Sequence, residues 1–305
     1  MAEESRASVI AAIAGNVAIA VSKLGAAAIT GSAAMLSEAI HSLVDTGNGG
    51  LMLYGMHRSK LPPDETHPFG HGHELYFWSV IVGVLIFGLG GGMSIVSGWR
   101  HVADPADLGD PKWSYIVLAA SAFFEAVSWF FGWRAFRAER RGRGVVETVI
   151  VSKDPTTFAV LLEDSAALAG IVFAFAGVWA SSSLGLEWAD GAASILIGVL
   201  LCVVAGVMVN ESRKLIVGEG VESRTLRVLR DMIAADPSIV HVGELLTMYL
   251  GPEEVLLVVE VRFRSGDTID VRGAVTRVKQ VIQEKYPRIR RIFFDSASLE
   301  DTPGS

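Results

Sequence analysis

An α-helical membrane domain followed by a small cytoplasmic α+β domain is the fold class that this sequence predicts. Three observations lead there. Of its 305 residues 51% are hydrophobic and the mean hydropathy is +0.43, too apolar for an ordinary soluble protein. The apolar residues are bunched into the first two-thirds of the chain, in runs long enough to cross a bilayer. After about Glu211 the composition becomes that of a soluble domain, with amphipathic segments set between turn residues. The net charge of -7 gives no support to a nucleic-acid partner. The lone cysteine, Cys202, excludes an internal disulfide.

A helix needs about 20 apolar residues to cross the hydrocarbon core. Six segments qualify, at 8–30, 32–56, 73–102, 111–136, 156–182 and 188–210. The opening Met-Ala-Glu-Glu-Ser-Arg lacks the basic start and small-residue cleavage site of a signal peptide, so the first span is expected to be retained. Gly31-Ser32 turns the chain between the first two spans. The third holds a run of small residues over 88–94, which lets helix backbones approach closely. Basic residues fix the orientation: Arg6, Arg58, Lys60, Arg134, Arg137, Arg140, Arg141, Arg143, Lys153, Arg213 and Lys214 flank one side. The opposite loops carry Asp104, Asp107 and Asp110 or no charge at all. Six spans then place both termini in the cytoplasm.

Past Val221 the period changes. Residues 223–235 read as an amphipathic helix ended by Asp236-Pro237, and 240–250 as a strand before a Gly251-Pro252 turn. Along 254–263, Val255, Leu257, Val259, Val261 and Phe263 alternate as in a half-buried strand. A helix over 268–286, with Val271, Val275, Val278, Val281 and Ile282 apolar, precedes a last strand at 289–295. The order α-β-β-α-β points to a ferredoxin-like sandwich. The expected divisions are a membrane domain at 1–214, an α+β domain at 215–296 and a flexible tail at 297–305.

Chemistry concentrates in two spans. His41 and Asp45, four apart in the second, project from one helix face. Ionisable side chains at bilayer depth are costly, and two on one face imply a ligand or a water-filled path. Imidazole nitrogen with carboxylate oxygen suits zinc, with manganese, iron and cobalt as alternatives. A polar pair that only glues helices together is the plainer reading. In the fifth span, Asp154-Pro155 marks the helix start and Glu163-Asp164 stand adjacent two turns in. Neighbours point about 100° apart, so one ion is not expected to take both. Lys23, Glu38 and Glu125 are read as structural charges, Asn16 and Asn48 as supports for the centre, and Asp190 as an entrance charge for cations on the outer face.

The stretches Ser37-Glu38-Ala39-Ile40-His41-Ser42-Leu43-Val44-Asp45, His67-Pro68-Phe69-Gly70-His71-Gly72-His73-Glu74 and Leu161-Leu162-Glu163-Asp164-Ser165-Ala166-Ala167 resemble those of the cation diffusion facilitators. The six-span layout and the α+β domain resemble that family too, and the Leu-Glu-Asp-Ser-Ala-Ala form is similar to the branch with the mitochondrial-type zinc exporter and its bacterial relatives. The resemblance implies a bacterial inner-membrane location and a tetrahedral transport site between spans two and five. His41, Asp45 and Asp164 would be its ligands, with Val160 where zinc transporters carry a second His, and Glu163 or water as the fourth. It also implies a second metal site at Asp64 and His71, with His67 beside them, and a cross-dimer or gating role for His73; a polar loop turning at Pro62-Pro63 and Gly70, with the histidines as caps, is the equal alternative. In the soluble domain His241, Asp295 and Asp267 are too few for a tight site.

The resemblance therefore implies no enzyme and no resident cofactor, but a homodimer in lipid that exports zinc, or another divalent cation, in exchange for protons. Its ligands must lose protons to bind metal, so the two cargoes compete. No G-x-x-x-x-G-K-[ST] motif occurs, which favours a proton gradient as the energy source. A passive divalent-cation channel and a non-transporting scaffold are the rival readings. An intramembrane metallohydrolase would need something like His-Glu-x-x-His, which is absent.

Overall fold

The computed structural model describes residues 17–105, 110–139, 144, 153, 155–264 and 270–295. The start of the first expected span, Arg6, Asn16, Asp107, Arg140, Arg141, Arg143, Asp154, Asp267 and the tail at 297–305 lie outside them. The chain divides into two compact units. One is Met1–His57 with Phe77–Arg213, and the other is Arg58–Tyr76 with Lys214–Ser305.

The first unit is helical: α1 (Val17–Thr30), α2 (Ala33–Ser59), α3 (His73–Leu85), a π-helical turn (Ile86–Gly92), α4 (Met93–Ala103), α5 (Lys112–Glu139), α6 (Pro155–Leu184) and α7 (Ala189–Val217). Among the described residues four helices are long and apolar enough to cross a membrane: His73–Ala103, Lys112–Arg134, Ala159–Leu184 and Ala189–Val217. α2 has the length, at 27 residues, but Glu38, His41, Asp45 and Asn48 dilute its apolar character. The exterior is apolar, with Phe123, Phe124, Phe130 and Phe131 of α5 exposed, while Lys23, Glu38, His41, Asn48 and Asp190 are buried. A bundle bathed in lipid inverts the soluble pattern in this way.

Small residues set how closely the helices meet. A Cβ added at Gly91 would lie 2.9 Å from the Gly198 carbonyl oxygen, and one at Gly191 would lie 2.8 Å from that of Gly98. The π-turn, α4 and α7 therefore pack backbone on backbone, as the glycine run over 88–94 predicts. At the other end of α1, Gly31 takes a left-handed φ of 68° and closes the helix through its N–H to the Ala27 carbonyl.

In the second unit α8 (Ser223–Ala234), β1 (Ile239–Gly251), β2 (Glu254–Phe263), α9 (Val271–Lys285) and β3 (Ile289–Asp295) follow the expected order to within a few residues. The sheet runs β1-β2-β3, antiparallel between the first pair and parallel between the second, with α9 as the crossover. Val255, Leu257, Val259 and Val261 of β2 are buried against Leu229 and Ile233 of α8 and Val278 and Ile282 of α9. Asp270 caps α9 by accepting the Gly273 N–H at 2.8 Å.

The loop after α2 belongs to this unit. Arg58 Nη2 lies 2.9 Å from Glu74 Oε1, and Arg291 Nη1 donates to the Pro68 carbonyl at 3.3 Å. Gly72 packs so tightly on Leu250 that a side chain there would run into the Leu250 carbonyl oxygen.

Candidate metal centre

Four-residue spacing on α2 brings His41 Nε2 to 3.4 Å from Asp45 Oδ2. The imidazole is 2% exposed and the carboxylate 23%. His41 Nε2 and Asp45 Oδ1 are buried and make no hydrogen bond among the described residues, so both atoms are available as ligands.

On α6 the adjacent acids diverge, as their 100° offset requires. Asn48 Nδ2, one turn beyond Asp45 on α2, donates to Glu163 Oε1 at 3.3 Å, so Glu163 looks towards α2. Ser128 of α5 donates to Asp164 Oδ2 at 2.8 Å and turns that acid towards α5. Val160 is exposed, one turn before Asp164. Glu163, Asp164, Glu125 of α5 and Lys23 are the charged groups near enough to Asp45 to interact with it. Glu125 therefore belongs to the acidic set. A lone acid in mid-span, with Ser128 three residues on, is the only sequence signal of it. No three of these groups in the helical unit bring ligating atoms within 4.8 Å of one another.

Such convergence occurs once among the described residues, in the loop of the second unit, where ligating atoms of Asp64, His67 and His71 all lie within 4.8 Å. Asp64 Oδ1 stands 3.2 Å from His67 Nδ1, and Asp64 Oδ2 stands 3.5 Å from His71 Nε2. The Thr66 hydroxyl and the backbone N–H of His67 both donate to Asp64 Oδ1, which pulls the carboxyl down to about 2. His71 is nearly buried, and its Nδ1 has no hydrogen-bond partner among the described residues. One carboxylate and two imidazoles fit a borderline divalent cation such as zinc.

The remaining predicted residues scatter. His73 Nε2 donates to the Tyr249 carbonyl at 2.8 Å and ties the loop to β1. His241 on β1 sits opposite Arg262, and Asp295 on β3 opposite Glu260, so the width of β2 and a two-residue offset keep them about 12 Å apart. Asp190 is no entrance charge: it is fully buried, because its carboxylate accepts the Ser32 hydroxyl at 2.6 Å and the Ala34 N–H at 3.2 Å. Lys23 pairs with Glu38 inside the bundle, at 3.0 Å.

Residues 9–217 match the cation efflux transmembrane domain. The mitochondrial proton-coupled zinc antiporter SLC30A9 of Mus musculus is 33% identical over 236 residues, 77% of this chain and 42% of that protein. Metal tolerance protein C4 of Arabidopsis thaliana is 30% identical over 220 residues, 70% of this chain and 48% of that protein. Magnetosome protein MamM of Paramagnetospirillum magneticum is 38% identical over 76 residues, 25% of this chain and 24% of that protein. The chain thus spans less than half the length of each of these relatives. A domain match over more than half of an integral, multi-pass membrane chain, on the helices that carry His41, Asp45 and Glu163, means that this protein belongs to the cation efflux, or cation diffusion facilitator, family.

Proposed function

We propose that this protein exports a divalent transition-metal cation, zinc first among them, from the cytoplasm in exchange for protons. The observation that carries the reading is the His41–Asp45 pair on α2, with unpartnered ligating atoms and Glu163 turned towards it. His41, Asp45 and Glu163 hold the ion in this reading, with Asp164 and Glu125 as the flanking negative charge. A carboxylate and an imidazole bind metal only when deprotonated, so protons arriving from the outer side expel the ion and their loss to the cytoplasm reloads the site. The zinc antiporter among the relatives supports zinc and proton coupling.

The architecture follows from the same reading. The six helical segments are six spans, both termini are cytoplasmic in an inner membrane, and 1–214 is the transport domain. The ferredoxin-like domain at 215–296 joins two protomers, with His73 acting where the loop meets it. Asp64, His67 and His71 bind a second cation on the cytoplasmic side. Val160 in place of a second imidazole leaves an oxygen-richer site, which favours manganese, iron(II) or cobalt as the competing cargo.

Proteoliposome flux tests this directly. Zinc entry should be matched by counter-moving protons and should fall at least tenfold in His41→Ala, Asp45→Ala and Glu163→Ala, with Asp164→Ala less affected. The same panel against manganese, iron(II) and cobalt ranks the cargoes. Full-rate zinc movement without protons, or linear flux that never saturates, would falsify the exchange in favour of a channel.

A further inference from the structure

Glu38 has no part in the ligand set, yet it is fully buried in the helical unit. Lys23 Nζ of α1 lies 3.0 Å from its Oε2 and donates to Ser42 Oγ at 2.8 Å. The other carboxylate oxygen, Oε1, is buried without a hydrogen bond among the described residues. It faces Gly170 of α6, where any side chain would collide with it. An ionised pair at this depth is costly, and apolar side chains of the same volume would hold α1 to α2 as well. Adhesion alone does not account for it.

Two further polar clusters lie between the start of α2 and Glu38. Asp190 accepts the Ser32 hydroxyl there, with His101 Nε2 at 3.8 Å. Ser37, next to Glu38, is 2.6 Å from Ser194, which in turn donates to the Ser94 carbonyl. Beyond Glu38, Lys23 reaches Ser42, the neighbour of His41. The charged groups that interact with Glu38 are Lys23 from α1 and Glu125 from α5, and Lys23 in turn interacts with His41 and Asp45 further along α2. From α6 it meets Gly170, and α7 contributes Ser194 beside Ser37.

We propose that Glu38 carries one proton of the exchange, on a seat separate from the metal ligands and with Lys23 as its fixed counter-charge. The inference rests on the exchange reading above. With the ion bound, its two charges offset the acids of the site, and Glu38 as carboxylate offsets Lys23. When the ion leaves outward, a proton from that side adds to Glu38 Oε1. The ammonium of Lys23 is then free to offset Asp45 and Glu125. On the return, reloading from the cytoplasm restores the Lys23–Glu38 pair and the proton leaves inward.

The experiment uses full-length protein in proteoliposomes with internal zinc and pH dyes, alongside radiolabelled zinc-for-zinc exchange. Glu38→Gln keeps the shape and removes the seat. A Lys23→Met, Glu38→Met double variant keeps the packing without the charges. Both should bind zinc within about twofold of wild type and retain zinc-for-zinc exchange, but move fewer protons per zinc and lose acceleration by a pH gradient. Glu38→Asp should restore the ratio. An unchanged proton-to-zinc ratio in either variant overturns the role of Glu38. A wild type that moves zinc without protons instead overturns the exchange reading itself.

Discussion

The amide of Asn48 aims Glu163 at α2 across 3.3 Å without needing to touch an ion. Groups that orient a metal ligand in this manner typically contribute ten- to a hundredfold in affinity. Asn48→Ala should therefore weaken zinc binding by about tenfold while leaving the fold intact, as read by competition titration in detergent. Unchanged affinity would place Glu163 outside the coordination sphere. The spacing of His41 and Asp45 was plain in the chain, because four residues make one helical turn. The choice between Glu163 and Asp164 was not, since adjacency leaves both directions open until Asn48 and Ser128 claim one acid each. Glu125 escaped notice for a different reason: a single acid in an apolar run carries no spacing to interpret.

Among the elements, α2 has the most instructive start. Ser32 caps it locally, with its hydroxyl oxygen accepting the Met35 N–H at 3.1 Å. The carboxylate of Asp190, 158 residues later, accepts the Ser32 hydroxyl and further N–H groups of the first turn. Negative charge at that end also suits the helix dipole. Asp190→Ala leaves those buried donors without a partner, which should cost about 2 kcal/mol. Thermal melts of the detergent-solubilised protein would read it, and a shift no larger than that of an exposed control such as Lys112→Ala would refute the cap. Nothing local could announce this contact, which is why Asp190 resembled an entrance charge. The glycine run over 88–94, by contrast, advertised its close approach to another helix, though not that α7 was the partner. The strands of the second unit were legible to within a residue or two, because the two-residue alternation of β2 matches the side it buries.

For the whole molecule, stability in the second unit depends on pH through Asp236. Arg277 donates to both of its carboxylate oxygens, at 3.0 and 3.1 Å, and lowers its pKa below the ordinary 3.8. A carboxylate depressed in the native state contributes fully above its unfolded value and loses that contribution as pH falls through the native one. Since the arginine is half exposed, solvent screens the pair and its contribution is modest. Unfolding of wild type against Asp236→Asn should show that gap near neutral pH and see it close below pH 3.8. A gap that persists in acid would assign the effect to packing.

The contact of Gly72 with Leu250 reaches beyond packing. With bare backbone against backbone, and His73 latched to Tyr249 one residue on, the segment bearing Asp64, His67 and His71 has no slack at its C-terminal end. A cation held by those three side chains would sit on a loop fastened to the end of β1 through residues 72 and 73. Anything bulkier than hydrogen at 72 would part that loop from the Leu250 backbone.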